Sequence, residues 1–210
     1  MHRLLGYLAI ASEAMPLLAV VALRRRVYGA RAWVVAWCTL VFAWEVLVTW
    51  LGTHGRNNLW TVYLFQPASV ALVLWTLSLW QAHELPRLTM RLAVPIFLSV
   101  WAVLTLAVED TSAFSRAVDP LSNLVALGAA VYTLLSRSQS VEGSMARCDW
   151  LWVSGGIALS FGAGTALHPL GALLVDTSPR LVVTAFQVKS AVDIAAFLAI
   201  ARGVTCKTEA

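Results

Sequence analysis

The sequence predicts an all-α integral membrane protein: a seven-transmembrane-helix bundle with the N-terminus outside and the C-terminus cytoplasmic. Three observations predict it. Of 210 residues, 60% are hydrophobic and only 12% are charged, where a soluble domain carries about 45–50% apolar and about 25% charged residues. The mean hydropathy is +0.76. Apolar runs near the roughly 20 residues that cross a bilayer recur along the chain, at 4–23, 32–51, 59–81, 92–108, 120–136, 150–169 and 181–201. Basic residues gather at alternate junctions between these runs. An open lipid-exposed sheet is excluded, because backbone polar groups in hydrocarbon must be satisfied within the segment. The joining segments are brief, so residues 1–210 read as a single transmembrane domain.

Span one, 4–23, lacks a basic stretch before it beyond His2 and Arg3, and its positive cluster, Arg24 to Arg26, follows it. That pattern predicts a retained helix rather than a cleaved signal. Span two, 32–51, has Trp33 and Trp50 at its ends and Glu45 inside. Span three, 59–81, opens with Asn57, Asn58, Trp60, Tyr63 and Gln66. Tyr63 and Gln66 are three apart and share a face, which lines a vestibule or else anchors the helix in the interface. Spans four and five are short, near the lower limit of about 17 residues. Asp119-Pro120 opens span five with a capping acid and a proline at the first helical position.

Span six, 150–169, places Gly156, Ser160 and Gly164 at four-residue spacing on one face. Such a stripe lets helices approach closely, within the chain or at a dimer seam or cavity wall. His168, before Pro169, reads as an interfacial histidine. Pro16, Pro67 and Pro95 fall within spans one, three and four, where proline is tolerated and usually kinks the helix. Span seven, 181–201, carries Lys189 and Asp193.

Orientation follows from the basic residues, which favour the cytoplasmic side. Arg24, Arg25, Arg26, Arg31, Arg87, Arg91, Arg137, Arg147, Arg202 and Lys207 fall on one side; Arg3, Arg56, Arg116 and Arg180 fall on the other. The first side is therefore cytoplasmic, in a bacterial-type inner membrane. Trp33, Trp80 and Trp150 at inner ends and Trp50 and Trp60 at outer ends form two interfacial belts. Cys38, Cys148 and Cys206 lack metal-ligand or CxxC spacing and read as reduced thiols. No metal and no cofactor is implied. The net charge of +4, without a long basic run or a soluble segment, excludes nucleic acid as a partner. The bilayer is the partner that composition dictates.

The ionisable residues within spans carry the functional expectation. At about 1.5 Å per residue, Glu13 lies roughly 13 Å from the outer end of its span, Glu45 roughly 9 Å, and Lys189 and Gln66 roughly 12 Å. Four polar residues from four helices thus share one layer in the outer half. Asp193 is one turn further in on the face of Lys189. A charge at mid-membrane costs about 2.5–3.5 kcal/mol on the insertion scale, so two in one helix need partners. With spans one, two and seven adjacent, Glu13, Glu45 and Asp193 surround Lys189. The surplus acid calls for a proton, a cation or a cationic ligand. Two readings stand: a ligand, ion or proton site, which intramembrane charge indicates by default, or a buried ion pair that only fixes helix register. Ser12 and Ser190 are expected to bond to their own helix backbones.

The plan resembles that of microbial rhodopsins in its seven spans, its outside N-terminus and Lys189 in the last span, which implies retinal on that lysine. The residues depart from the family's pattern. Ala185 stands where the family has an acid four residues before the lysine, and Gln66 is the polar residue at the depth where a carboxylate counter-ion is expected. Span six offers glycines and alanines with Phe161 rather than a wall of aromatics. Size and topology are also similar to small sugar and amino-acid transporters built as a 3-1-3 repeat. Their Pro-Gln motif is missing, Gln66-Pro67 being the reverse order, and the two halves share no internal pattern. Neither likeness assigns a family.

The expected function is a small transporter or ion- or proton-coupled carrier, with Lys189, Asp193, Glu45 and Glu13 as its charged centre and Gln66 and Tyr63 lining the entry. The alternative is a ligand-sensing or accessory subunit of a larger membrane complex, or a homo-oligomer; short loops then require a partner to carry a signal. HExxH, GxSxG and P-loop motifs are absent, so an intramembrane hydrolase using the carboxylates is the remaining, weaker reading.

Overall fold

The computed structural model describes residues 2–24, 26–139, 147–174 and 178–206. Arg25 and Lys207, and the side chains of Arg3 and His168, lie outside the described residues. Among the described residues, eight helices follow in order: α1 (His2–Glu13), α2 (Met15–Ala22), α3 (Ala30–Thr53), α4 (Trp60–Leu79), α5 (Glu84–Ala107), α6 (Val118–Ser138), α7 (Asp149–Leu174) and α8 (Pro179–Thr205). Among the described residues there is no strand. Six of these helices are long and apolar enough to cross a membrane, and α1 with α2 makes a seventh if the bent pair is one span. The chain is a multi-pass, membrane-type helical bundle.

The apolar run 4–23 is broken rather than gently kinked. Its halves meet at Ala14 with a bend of 50°. Pro16 lacks the N–H that would bond to the Ser12 carbonyl, and its ring crowds that oxygen. Pro67 and Pro95, in contrast, sit inside α4 and α5 without ending them. Helix α5 begins at Glu84, eight residues before the apolar run at 92. Its polar first turns escape a hydropathy criterion, yet they are held: Arg87 donates to the Gln81 carbonyl at 2.9 Å, and the Arg91 guanidinium lies 4.8 Å from the centre of the Trp75 ring. Helix α3 ends in a Schellman turn, with the Gly55 N–H on the Gly52 carbonyl and the Arg56 N–H on the Leu51 carbonyl. Gly55 takes φ +66° there, a backbone conformation that a Cβ disfavours.

Among the described residues, seven helices form a closed ring: α1 and α2 pack on α8, α8 on α7, α7 on α6, α6 on α4, α4 on α3, and α3 back on α1 and α2. Helix α5 lies outside the ring, against α4 and slightly against α6. It buries Met90 and Phe97 and leaves Leu88, Leu92, Ile96, Val103 and Leu106 exposed, as a lipid-facing helix does. Helices α1 and α2 neighbour both α8 and α3, while α3 and α8 touch only slightly.

Lipid offers the helices as apolar a surface as their own side chains do, so close packing and polar ties hold such a bundle. The half that contains Arg31 is filled by Val34, Leu77, Val153, Ile157, Ile200 and Val204, all essentially inaccessible. Its end is tied by Arg31, which bonds to Asp149 at 2.8 Å and to the Cys206 carbonyl at 2.8 Å. This joins the starts of α3 and α7 to the end of α8. Gln81 ties α4 to α6 through Thr133 at 2.9 Å and Ser136 at 3.2 Å.

Asp119 is not the cap of α6. The N-cap is Ala117, which makes no side-chain cap bond. The acid comes from the preceding loop instead: Glu109 accepts the backbone N–H groups of Arg116 at 3.0 Å, Ala117 at 2.7 Å and Val118 at 2.9 Å. Burial pushes the Glu109 carboxyl up, but the N–H groups of Val118, Ala117 and Arg116 outweigh it and hold the pKa below its ordinary 4.5. A carboxyl depressed on folding contributes stability above its unfolded pKa, and that contribution is lost as pH falls through the folded value. Glu109→Ala is therefore expected to cost about 1 kcal/mol at neutral pH, with the gap to wild type closing below about pH 4.5. Thermal unfolding in detergent across that range checks it; a gap that persists in acid sinks the assignment.

Candidate functional site

The half of the ring opposite Arg31, where Asn57 and the 109–117 loop lie, is not filled. It holds a cavity of about 590 Å³ bounded by α1, α3, α4, α6, α7, α8 and that loop. Small-molecule sites run from about 300 to 1,000 Å³. The floor is aromatic. Trp37 of α3 is stacked between Phe161 of α7 and Phe197 of α8, with ring centroids 6.0 and 5.9 Å apart. The Trp37 indole N–H is satisfied by Ser69 Oγ of α4 at 2.9 Å. One wall is a second stack, Trp44 on Phe65 at 4.2 Å.

On one side of the cavity stand the charges expected to meet. Lys189 and Asp193 are one turn apart on α8, and Lys189 Nζ lies 2.5 Å from Asp193 Oδ2. The other carboxylate oxygen of Asp193 accepts the Ser160 hydroxyl of α7 at 2.7 Å. Two oxygens with two donors make a satisfied carboxylate, as a buried charge requires. Glu13 of α1 and Glu45 of α3 line the same cavity. Glu13 is 5% exposed, and its Oε2 has no hydrogen-bond partner among the described residues. Ser12 and Ser190 turn to their own helices, on the carbonyls of Ala9 and Phe186.

The same lining carries a group that sequence reasoning missed. Asp119 of α6 is 8% exposed and takes the Gln66 amide of α4 at 2.5 Å and the Asn123 amide at 3.2 Å on one oxygen. Gln66 is 5% exposed, and its own Oε1 has no hydrogen-bond partner among the described residues. The missed signal was spacing: Asp119 and Asn123 are four apart and share a face, but Asp before Pro reads first as a helix start. Ser160 belongs to the small-residue stripe, and spacing alone does not distinguish a small packing residue from a hydroxyl that bonds Asp193.

Gln66 thus lines the cavity and Tyr63 does not. A three-residue step leaves about 60° between two side chains, and that angle turns Tyr63 to the loop after α5. There its hydroxyl donates to Glu109 at 3.2 Å and to the Asp110 carbonyl at 3.3 Å. Asn57 closes an Asx turn ahead of α4 by accepting the Leu59 N–H at 2.9 Å, while Asn58 reaches the Val48 carbonyl at 3.1 Å and lines the cavity. Gly156 and Gly164 pack within the chain: a Cβ at Gly156 would lie 2.6 Å from the Ala196 carbonyl, and one at Gly164 would lie 2.7 Å from Asn123 Oδ1. Glycine at 164 therefore leaves room for the amide that reaches Asp119. Among the described residues, no group of three or more His, Cys, Asp or Glu side chains is placed to hold a metal ion.

The class these features define is a multi-pass helical bundle with an acidic, aromatic-floored cavity in one half. Compared with protein-family models, curated proteins and solved structures, the chain matches none.

Proposed function

We propose that the chain is a small carrier of a bacterial-type inner membrane, and that the cavity is its solute and proton site. The reading counts the bent pair as one span of seven. It places the arginine-rich end in the cytoplasm, so the cavity faces outside. The observation that carries it is the meeting of Glu13, Glu45 and the Lys189–Asp193 pair in one cavity above a closed floor. A cavity on one side with packed core on the other corresponds to one end-state of alternating access. The break at Ala14 adjoins Glu13, so a change at that carboxyl acts where the span already bends. Lys189 and Asp193 hold α8 to α7, and Glu13 is the group that gains or loses a proton or a cation.

Reconstitution into liposomes loaded with a pH-sensitive dye tests this. Wild type is expected to couple solute entry to proton movement, and Glu13→Gln to abolish that coupling. Failure of every solute among amines, amino acids and sugars to drive flux would remove the carrier reading. Binding without flux would favour the second reading, a ligand-sensing subunit, which the plugged Arg31 half supports.

A further inference from the structure

The carrier reading leaves the ligand unspecified, and the orphan atoms of the cavity narrow it. Two residues of its lining each hold a buried oxygen without a hydrogen-bond partner among the described residues: Glu13, at Oε2, and Gln66, at Oε1. An acceptor left unsatisfied on burial costs about 1–3 kcal/mol, and a donor relieves it. The two stand on different helices, α1 and α4, so they are not a local accident of one turn. The charge balance has the same sign. Among the described residues, Glu13, Glu45, Asp119 and Asp193 line the cavity with one cation, Lys189, and Lys189 is already committed to Asp193. The remaining surface is apolar and aromatic, with Ile10, Val41 and Val48 beside the Trp44–Phe65 stack and the Trp37 floor. Aromatic faces attract cations as well.

We infer that the cavity binds a protonated primary or secondary amine with an apolar body, its N–H donors taken up by Glu13 and Gln66. A carboxylate or phosphate ligand would meet three carboxyl groups beyond the Lys189–Asp193 pair. A quaternary ammonium satisfies the charge and the aromatic faces but brings no donor. An ethanolamine phospholipid brings the same ammonium, with a phosphate that the carboxyl groups oppose. The inference rests on the cavity being a solute site, and binding at equilibrium separates it from transport.

The test is calorimetric titration of the purified protein in detergent at neutral pH. The probes are 2-phenylethylamine, tryptamine, the N,N,N-trimethyl derivative of 2-phenylethylamine, 3-phenylpropionate and a short-chain phosphatidylethanolamine. The two free amines are expected to bind. The trimethyl derivative should be weaker by about tenfold or more, the fold-change of one hydrogen bond to a charged group, and the carboxylate should not bind. Tighter binding of the phospholipid than of the free amines assigns the same ammonium site to a lipid headgroup. Glu13→Gln should weaken 2-phenylethylamine by about tenfold on the same grounds. Equal binding of the quaternary derivative, binding of 3-phenylpropionate, or no binding of either free amine would each overturn the inference, and the wild-type series decides this without any variant. Amine binding without flux would leave the inference standing and remove the carrier; flux of another solute without amine binding would do the reverse.

Discussion

Lys189→Met is expected to destabilise the bundle by about 3–5 kcal/mol, the cost of breaking a buried ion pair by removing one partner. The ammonium lies 2.5 Å from Asp193 Oδ2, and the two side chains are 21% and 11% accessible. Methionine fills the same volume, so lost packing does not account for the loss. What remains is an Asp193 carboxylate held by the Ser160 hydroxyl, in a cavity that also holds Glu13 and Glu45. Asp193→Leu leaves the converse fault, an ammonium without its nearest acid. The double variant Lys189→Met/Asp193→Leu removes both charges at once and is expected to recover most of the loss, because two apolar groups need no counter-charge in hydrocarbon. Thermal unfolding of the four proteins in one detergent measures it. For a chain of this length, 1 kcal/mol moves the midpoint by about 2–4 °C, so the single variants should fall by about 6–12 °C or more on that scale. The decisive quantity is the coupling. Single-variant losses that add in the double variant to within about 0.5 kcal/mol would mean that the pair does not act as a unit.

That pair was legible in the sequence because it needs only one dimension. Four residues on a helix is one turn, and a charge in an apolar run is visible wherever it stands. That Glu13, Glu45, Gln66 and Lys189 line one cavity could be anticipated for the same reason, since rise per residue is fixed. Direction around the helix axis was not. Tyr63 and Gln66 share a face loosely enough that one turns to Glu109 and the other to Asp119. Long-range supply of a partner was not legible either. Glu109 caps α6 from a loop that precedes it, and that frees Asp119 to turn to Gln66. A rule that reads a cap from the adjacent residue assigns the wrong acid in such a case. The position of α5 outside the ring depends on which helices outcompete it for α4 and α6, and a hydropathy window carries no such information. The break at Ala14 differs again: Pro16 signalled it, but α4 and α5 absorb Pro67 and Pro95 with no helix end.

The neighbouring glycines of α7 separate close approach from mere small size. Gly156 and Gly155 are adjacent in sequence and point 100° apart on the helix, at about that turn per residue. A Cβ at Gly155 meets nothing within 4 Å, whereas one at Gly156 would lie 2.5 Å from Ile200 Cγ1 and 2.6 Å from the Ala196 carbonyl oxygen. A side chain can rotate away from such a clash. A helical carbonyl cannot, because it is fixed in the α8 backbone. Gly156→Ala must therefore push α7 and α8 apart along the most extensive helix contact of the bundle. Overpacking of this kind costs about 1–3 kcal/mol, and separation at Gly156 also draws Ser160, one turn further on, away from Asp193 at 2.7 Å. The expected loss for Gly156→Ala is at or above the top of that range, and Gly156→Leu should leave no folded protein to purify. Gly203 on α8 repeats the geometry, since its Cβ would lie 2.6 Å from Val153 Cγ2 and 3.0 Å from the Asp149 carbonyl. Gly155→Ala gains the helix propensity of alanine, about 1 kcal/mol, and should be neutral or stabilising. Detergent-solubilised yield and thermal midpoint of Gly155→Ala beside Gly156→Ala check the contrast. Equal stability of the two would mean that α7 and α8 do not approach each other this closely. A low midpoint for Gly156→Ala with intact Lys189–Asp193 coupling would show that the seam and the cavity are held independently.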